Sequence, residues 1–274
     1  MKTRIASGAV LMVLALAFIL TGGNLLGIVC AVLSMVAFRE LEHACKVEKE
    51  GKIGSLEIAG YAGIALYYLI MVFAKDFSLG LAAMVFAFMA MMFLYVFRFP
   101  HYQSQQVMNS FFNVFYACVP FSFVYLTREL ENGIYLVWLI FISSWICDTC
   151  AYFVGVTLGK HKMAPVLSPK KSIEGAIGGI VGSMLVGALF AGIFLLPVTG
   201  EVSVLWLVAM ISGVGAVISQ VGDLAASAIK RNHEIKDYGK LIPGHGGVMD
   251  RFDSVLFTAP IIYYLSVLLL NAGV

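Results

Sequence analysis

Apolar residues run along this chain in blocks of roughly 17 to 25, the length at which a helix crosses a ~30 Å hydrocarbon layer. Short polar stretches separate them. Read as spans, the blocks fall at 5–20, 23–38, 57–74, 78–97, 109–126, 134–157, 174–196, 204–224 and 254–272. The pattern predicts an all-α, polytopic membrane helix bundle of about nine transmembrane helices, because a backbone in lipid must satisfy its own N–H and C=O groups. The glycines between Gly175 and Gly187 leave room for a break in the seventh span. Lys2, Arg4 and the apolar run after them have the outline of a signal peptide. Thr21-Gly22-Gly23 is a poor cleavage site and further spans follow, so this segment is read as a retained first helix.

Composition strengthens that picture: 61% of the residues are hydrophobic and 12% charged, with a mean hydropathy of +0.93, against about 25% charged in soluble domains. The chain reads as one integral membrane domain over residues 1–274. Residues 1–130 form a packing half rich in Met and aromatic side chains, and residues 131–274 a chemically active half with the glycine clusters and most intramembrane carboxylates. With a cytoplasmic N-terminus, nine spans sort every Lys and Arg except Lys75 and Arg128 to the cytoplasmic side. This predicts a multi-pass protein of the cell inner (cytoplasmic) membrane whose active site faces the cytoplasm. Glu40, Glu42, Glu48 and Glu50 read as charges that neutralise the second loop, leaving a net charge of +2. The remaining cationic character is concentrated in the last two cytoplasmic loops, which points to phosphate ligands more than to a general grip on lipid. No nucleic acid is expected as a partner. The five cysteines are odd in number and mostly lie in spans, so no disulfide framework is expected. Cys147 and Cys150 read as small hydrophobes in a helix.

Candidate chemistry lies in three places. Asp148 sits within the sixth span and shares a helix face with Tyr152. A carboxylate there is costly unless paired or facing water, so it reads as lining a polar cavity. The following loop holds Ser168-Pro-Lys170-Lys171-Ser172-Ile-Glu174, where Ser172 can cap the seventh span and its helix N-terminus adds backbone donors to the two lysines, a phosphate cradle. A positive-inside anchor with an ordinary cap is the simpler alternative. Glu174 can complete a capping box or hold a cation. Gly155 to His161 mimics a P-loop with the wrong spacing and no Ser or Thr for magnesium, and that reading is rejected. The third place runs from Asp223 to Asp253. Asp223, Ser227 and Lys230 fall on one helical face, and Asp250 and Asp253 on another. Hard carboxylates on two helix ends suit Mg2+, which takes one or two carboxylates plus phosphate oxygens and water. An Asp–Arg network closing the bundle is the alternative. Pro243-Gly-His245-Gly246-Gly247 is a turn with little bulk, whose consecutive N–H groups can approach phosphate oxygens.

The segment Ser227-Ala-Ile-Lys230-Arg231, then Lys236-Asp237, then Pro243-Gly-His-Gly-Gly-Val-Met-Asp250-Arg251-Phe-Asp253 resembles the signature of the phosphatidate cytidylyltransferase family, as does the Asp-x-x-Ala-Tyr-Phe-x-Gly stretch from Asp148. The resemblance is carried by the second half of the chain. It implies transfer of CMP from CTP to phosphatidate, giving CDP-diacylglycerol and pyrophosphate. It also implies metal ligation by Asp223 and Asp250, with Asp148 and Asp253 supporting or holding a second cation. Phosphate contacts would come from Lys170, Lys171, Lys230, Arg231, His245 and Arg251, within a substrate-binding set that includes Ser168, Ser172, Glu174, Ser227, Lys236, Asp237, Gly246 and Gly247. Membrane lipids surround the chain, and the resemblance favours a homodimer. A CTP-dependent polyprenol or phytol kinase would move the γ-phosphoryl group instead. A secondary transporter would need broken, symmetry-related spans that the sequence lacks. The Asp-Gly-x-x-Ala-Arg pattern of a CDP-alcohol phosphatidyltransferase is absent.

Overall fold

The computed structural model describes residues 13–47, 53–242 and 246–270. Residues 13–21 are helical (α1), followed by α2 (Gly23–Ala44), α3 (Ser55–Leu69) with a π-helical turn over Ile70–Ala74, α4 (Phe77–Phe97), α5 (Ser104–Glu129) and α6 (Gly133–Phe141). A second π-turn (Ile142–Ile146) joins α6 to α7 (Cys147–Leu158). A hairpin follows, formed by β1 (Lys162–Ala164) and β2 (Ser168–Ser172), then α8 (Ile173–Phe190), a π-turn (Ala191–Leu195), α9 (Leu196–Thr199), α10 (Ser203–Asn232) and α11 (Met249–Leu270). Among the described residues, eight helices are long and apolar enough to cross a membrane, and their order matches the predicted spans from the second onward. The first predicted span, 5–20, is half outside the described residues, and its described half is the helix α1.

The helix ends have local causes. Lys75 takes a left-handed conformation, and Asp76 then caps α4 by accepting the Leu79 N–H at 3.0 Å. Ser172 caps α8 as its sequence position suggests, accepting from Gly175 N–H at 3.2 Å. The glycine-rich stretch from Gly175 to Gly187 is unbroken α-helix, and the irregular turn comes after it at Ala191–Leu195. The reason is packing: a Cβ at Gly178 would lie 2.6 Å from Val154, and one at Gly182 2.5 Å from Cys150 Sγ. The glycines therefore let α8 lie close against α7, as small-residue stripes do in membranes.

Contacts divide the chain into two units, Met1–Tyr125 with His233–Arg251, and Leu126–Asn232 with Phe252–Val274. In the first, α4 turns Phe86, Phe93 and Val96 outward, as a lipid-facing helix does. Its interior is tied by polar pairs that hydropathy does not reveal. Ser34 meets Tyr68 hydroxyl at 2.9 Å, Tyr67 meets Ser122 at 2.7 Å, and Asn113 donates to Glu42 at 2.8 Å. Glu40 and Glu42 are thus buried helix residues of α2, not loop charges; Glu48 and Glu50 lie outside the described residues. In the second unit, α8 packs between α7 and α10.

Candidate functional site

The π-turn at Ile142–Ile146 precedes Asp148, which falls in the first turn of α7. Asp148 and Tyr152 of α7, Ser168, Lys170 and Lys171 of β2, and Gln220 and Asp223 of α10 line one cavity of about 520 Å³ in the second unit. The Asp148–Tyr152 face and the lysine-bearing segment, which the sequence placed in separate elements, meet in that cavity. Lys171 forms an ion pair with Asp223, both side chains about a quarter exposed. Asp148 feels the charges of both Asp223 and Lys171. The buried Asp253 of α11 feels the negative charges of Asp223 and Asp148 and the positive charge of Lys230.

The segment read as an open loop is an antiparallel hairpin, with Lys162 opposite Ser172 and Ala164 opposite Ser168. Two short strands, one followed by Pro165 and the other containing Pro169, carry too little periodicity to be seen in an apolar sequence. Glu174 closes the hairpin's base. Its carboxylate accepts the N–H groups of Lys160 at 3.1 Å and His161 at 3.2 Å, and the His161 Nδ1–H at 2.6 Å. Neither option open to Glu174 in the sequence, a capping box or a cation site, describes these bonds.

The remaining residues of the motif divide between the units. Ser227 and Lys230 are half-buried along α10, and Arg231 is exposed at its end, where cations complement the helix dipole. Asp253 accepts the N–H of Ser254 at 2.8 Å. In the first unit, Lys236, Asp237 and Arg251 are exposed. Asp250 is buried, and its Oδ2 accepts the N–H groups of Tyr238 at 2.8 Å and Gly247 at 3.0 Å. Gly246 has φ +87°, and a Cβ there would lie 2.8 Å from Asp250 Oδ2. Pro243, Gly244 and His245 lie outside the described residues.

A family model described as "Cytidylyltransferase family" matches residues 2–269. The chain belongs to this family. Its similar relatives include the phosphatidate cytidylyltransferases of Staphylococcus saprophyticus, 31% identical, and Staphylococcus aureus strain COL, 32% identical, each over 97% of this chain and 98% of the relative. The Staphylococcus epidermidis phosphatidate cytidylyltransferase is 32% identical over the same shares.

Two residues that the sequence reading passed over stand beside candidate residues, one in each unit. Gln220 is buried, lines the cavity, and donates from Nε2 to Ala176 carbonyl at 3.1 Å. A lone amide three residues before Asp223 in an apolar helix was its only signal. Glu40 accepts the N–H groups of Val248 at 3.0 Å and Met249 at 2.9 Å. The glycine turn's donors at Gly247, Val248 and Met249 therefore point at protein carboxylates, where the sequence suggested phosphate. Among the described residues, no three His, Cys, Asp or Glu side chains form a ready metal cage. An oxygen donor set of Asp148 and Asp223 beside lysines fits a hard cation that completes its shell with substrate phosphate and water.

Proposed function

We propose that the protein transfers CMP from CTP to phosphatidate, releasing pyrophosphate and forming CDP-diacylglycerol. The observation that carries this reading is the cavity in which Asp148 and Asp223 face Lys170 and Lys171, in a chain matching enzymes of that name over nearly its full length. Opposite charges side by side suit a metal-bound triphosphate: carboxylates take the cation, and lysines the phosphate oxygens.

Asp148 and Asp223 of the cavity would hold magnesium, with Asp253 in support, and Asp250 is a separate candidate ligand. When bound, the ion neutralises triphosphate charge and the departing pyrophosphate. A phosphate monoester is already anionic, so the phosphatidate oxygen needs no strong base; it needs its repulsion from CTP removed. Lys170 and Lys171 lower that repulsion and align the phosphates for in-line attack at the α-phosphorus. A phosphatidate P–O–P bond to the CTP α-phosphorus forms as the α–β bridging bond breaks. Tyr152 and Val156 give one wall of the cavity an exposed apolar surface beside these charges, suited to a lipid arriving laterally. The charge bias of the loops supports a site at the cytoplasmic leaflet of the inner membrane, and we take the working form to be a homodimer, which chemical crosslinking in membranes would check.

Incubating purified protein with CTP, magnesium and phosphatidate, and following lipid-linked CMP and pyrophosphate together, tests the reaction. Equal amounts of both products are expected. Release of CDP with a phosphorylated lipid would establish the kinase chemistry instead.

A further inference from the structure

Glu40 stands apart from every motif in the sequence, yet its side chain ends at the motif that carries Asp250. It lies in α2, is 8% exposed, and its two carboxylate oxygens accept the N–H groups of Val248 and Met249, more than 200 residues further along the chain. These are donors at the start of α11 that have no partner within the helix. An ionised carboxylate at a helix N-terminus also complements the helix dipole, and its bonds are charge-assisted. The fit is close on both sides. A Cβ at Gly239 would lie 2.4 Å from Glu40 Oε1, and one at Gly247 would lie 2.3 Å from it. The absence of a side chain at Gly239 and at Gly247 therefore leaves room for this carboxylate.

The same turn is tied a second time by Asp250, through Tyr238 and Gly247 N–H. Four successive motif residues, from Gly247 to Asp250, thus either donate to a carboxylate or supply one. Asp250 is fixed from within the motif, and the backbone immediately before it is fixed from α2. We propose that Glu40 is a positioning residue that sets the start of α11, and with it the placement of Asp250 and Arg251 for the reaction. This rests on the reading of the protein as a CTP-dependent cytidylyltransferase. Glutamine at this position keeps the shape, but supplies one acceptor and one NH₂ group, which would face a backbone N–H; one bond is lost and two donors oppose each other.

The test compares wild type with Glu40→Gln and with Glu42→Gln, a buried glutamate of the same helix that accepts from Asn113. In Glu40→Gln, kcat should fall roughly a hundredfold, the scale of an approximately 1 Å misplacement of reacting groups. The magnesium concentration for half-maximal rate should rise several-fold, and KM for CTP should change less than kcat. Hydrogen exchange measured by mass spectrometry should quicken in the peptide holding Val248 and Met249 and stay unchanged elsewhere. Glu42→Gln should leave magnesium dependence and that exchange as in wild type. If Glu40→Gln does not give folded protein, Gly239→Ala carries the same expectations, because it keeps the carboxylate but displaces it. Wild-type kcat and magnesium dependence in the folded variant overturn the proposal, and so does a loss of activity with unchanged exchange at 248–249. If the wild-type protein forms no CDP-diacylglycerol, the proposed reaction fails, while the exchange measurement still decides whether Glu40 holds the turn.

Discussion

At the scale of single residues, the pairing of Lys171 with Asp223 joins two side chains that the sequence singled out for different tasks, one for phosphate and one for metal. Each balances the other's charge in a half-buried site, and a metal-bound triphosphate can take both partners at once without leaving either charge alone. Lys171→Ala should lower kcat about a hundredfold, as the loss of one preorganised charge contact does. Asp223→Asn should abolish turnover, since an amide keeps the shape but not the attraction for a hard cation. Steady-state kinetics on protein shown folded by thermal unfolding, repeated over a magnesium titration, checks both. Intact specific activity per correctly inserted molecule in Lys171→Ala would leave the lysine as a topological anchor. These residues were legible because charge in an apolar chain is conspicuous. Their pairing was not, since residues on β2 and α10 have no sequence relation that specifies contact.

At the scale of elements, the spans were legible because hydropathy is a local property that lipid enforces along each helix. The hairpin of β1 and β2 was not, being made by register across a short polar stretch. What holds it is the clasp of Glu174 on Lys160 and His161, at the point where α7 ends and α8 begins. Glu174→Ala should free the hairpin that carries Lys170 and Lys171 while leaving the glycine-lined contact of α7 and α8 in place. A fall in kcat/KM of roughly five- to tenfold is expected, with faster proteolytic cleavage within 160–171 and little change in unfolding temperature. Unchanged cleavage would show that the strand pairing alone maintains the hairpin.

At the scale of the whole molecule, the charge bias among loops predicts that the β2 segment and the segment after α10 share the cytoplasmic side, since two spans separate them. Single cysteines at Ser168 and Lys236, in a cysteine-free background, should both react with a membrane-impermeant thiol reagent only from that side, and CTP with magnesium should slow both. Reaction from opposite faces would overturn the topology. The sequence by itself determined that the chain is a membrane bundle, the order of its spans, and which polar residues are candidates for its chemistry, because hydropathy and the expense of charge in lipid act on each segment where it stands. Only the tertiary structure decided that His233–Arg251 groups with the N-terminal helices, that Glu40 holds the start of α11, and that Asp148, Lys171 and Asp223 share one cavity. A buried donor or carboxylate must find a partner somewhere, but nothing in its local sequence says which distant segment provides it.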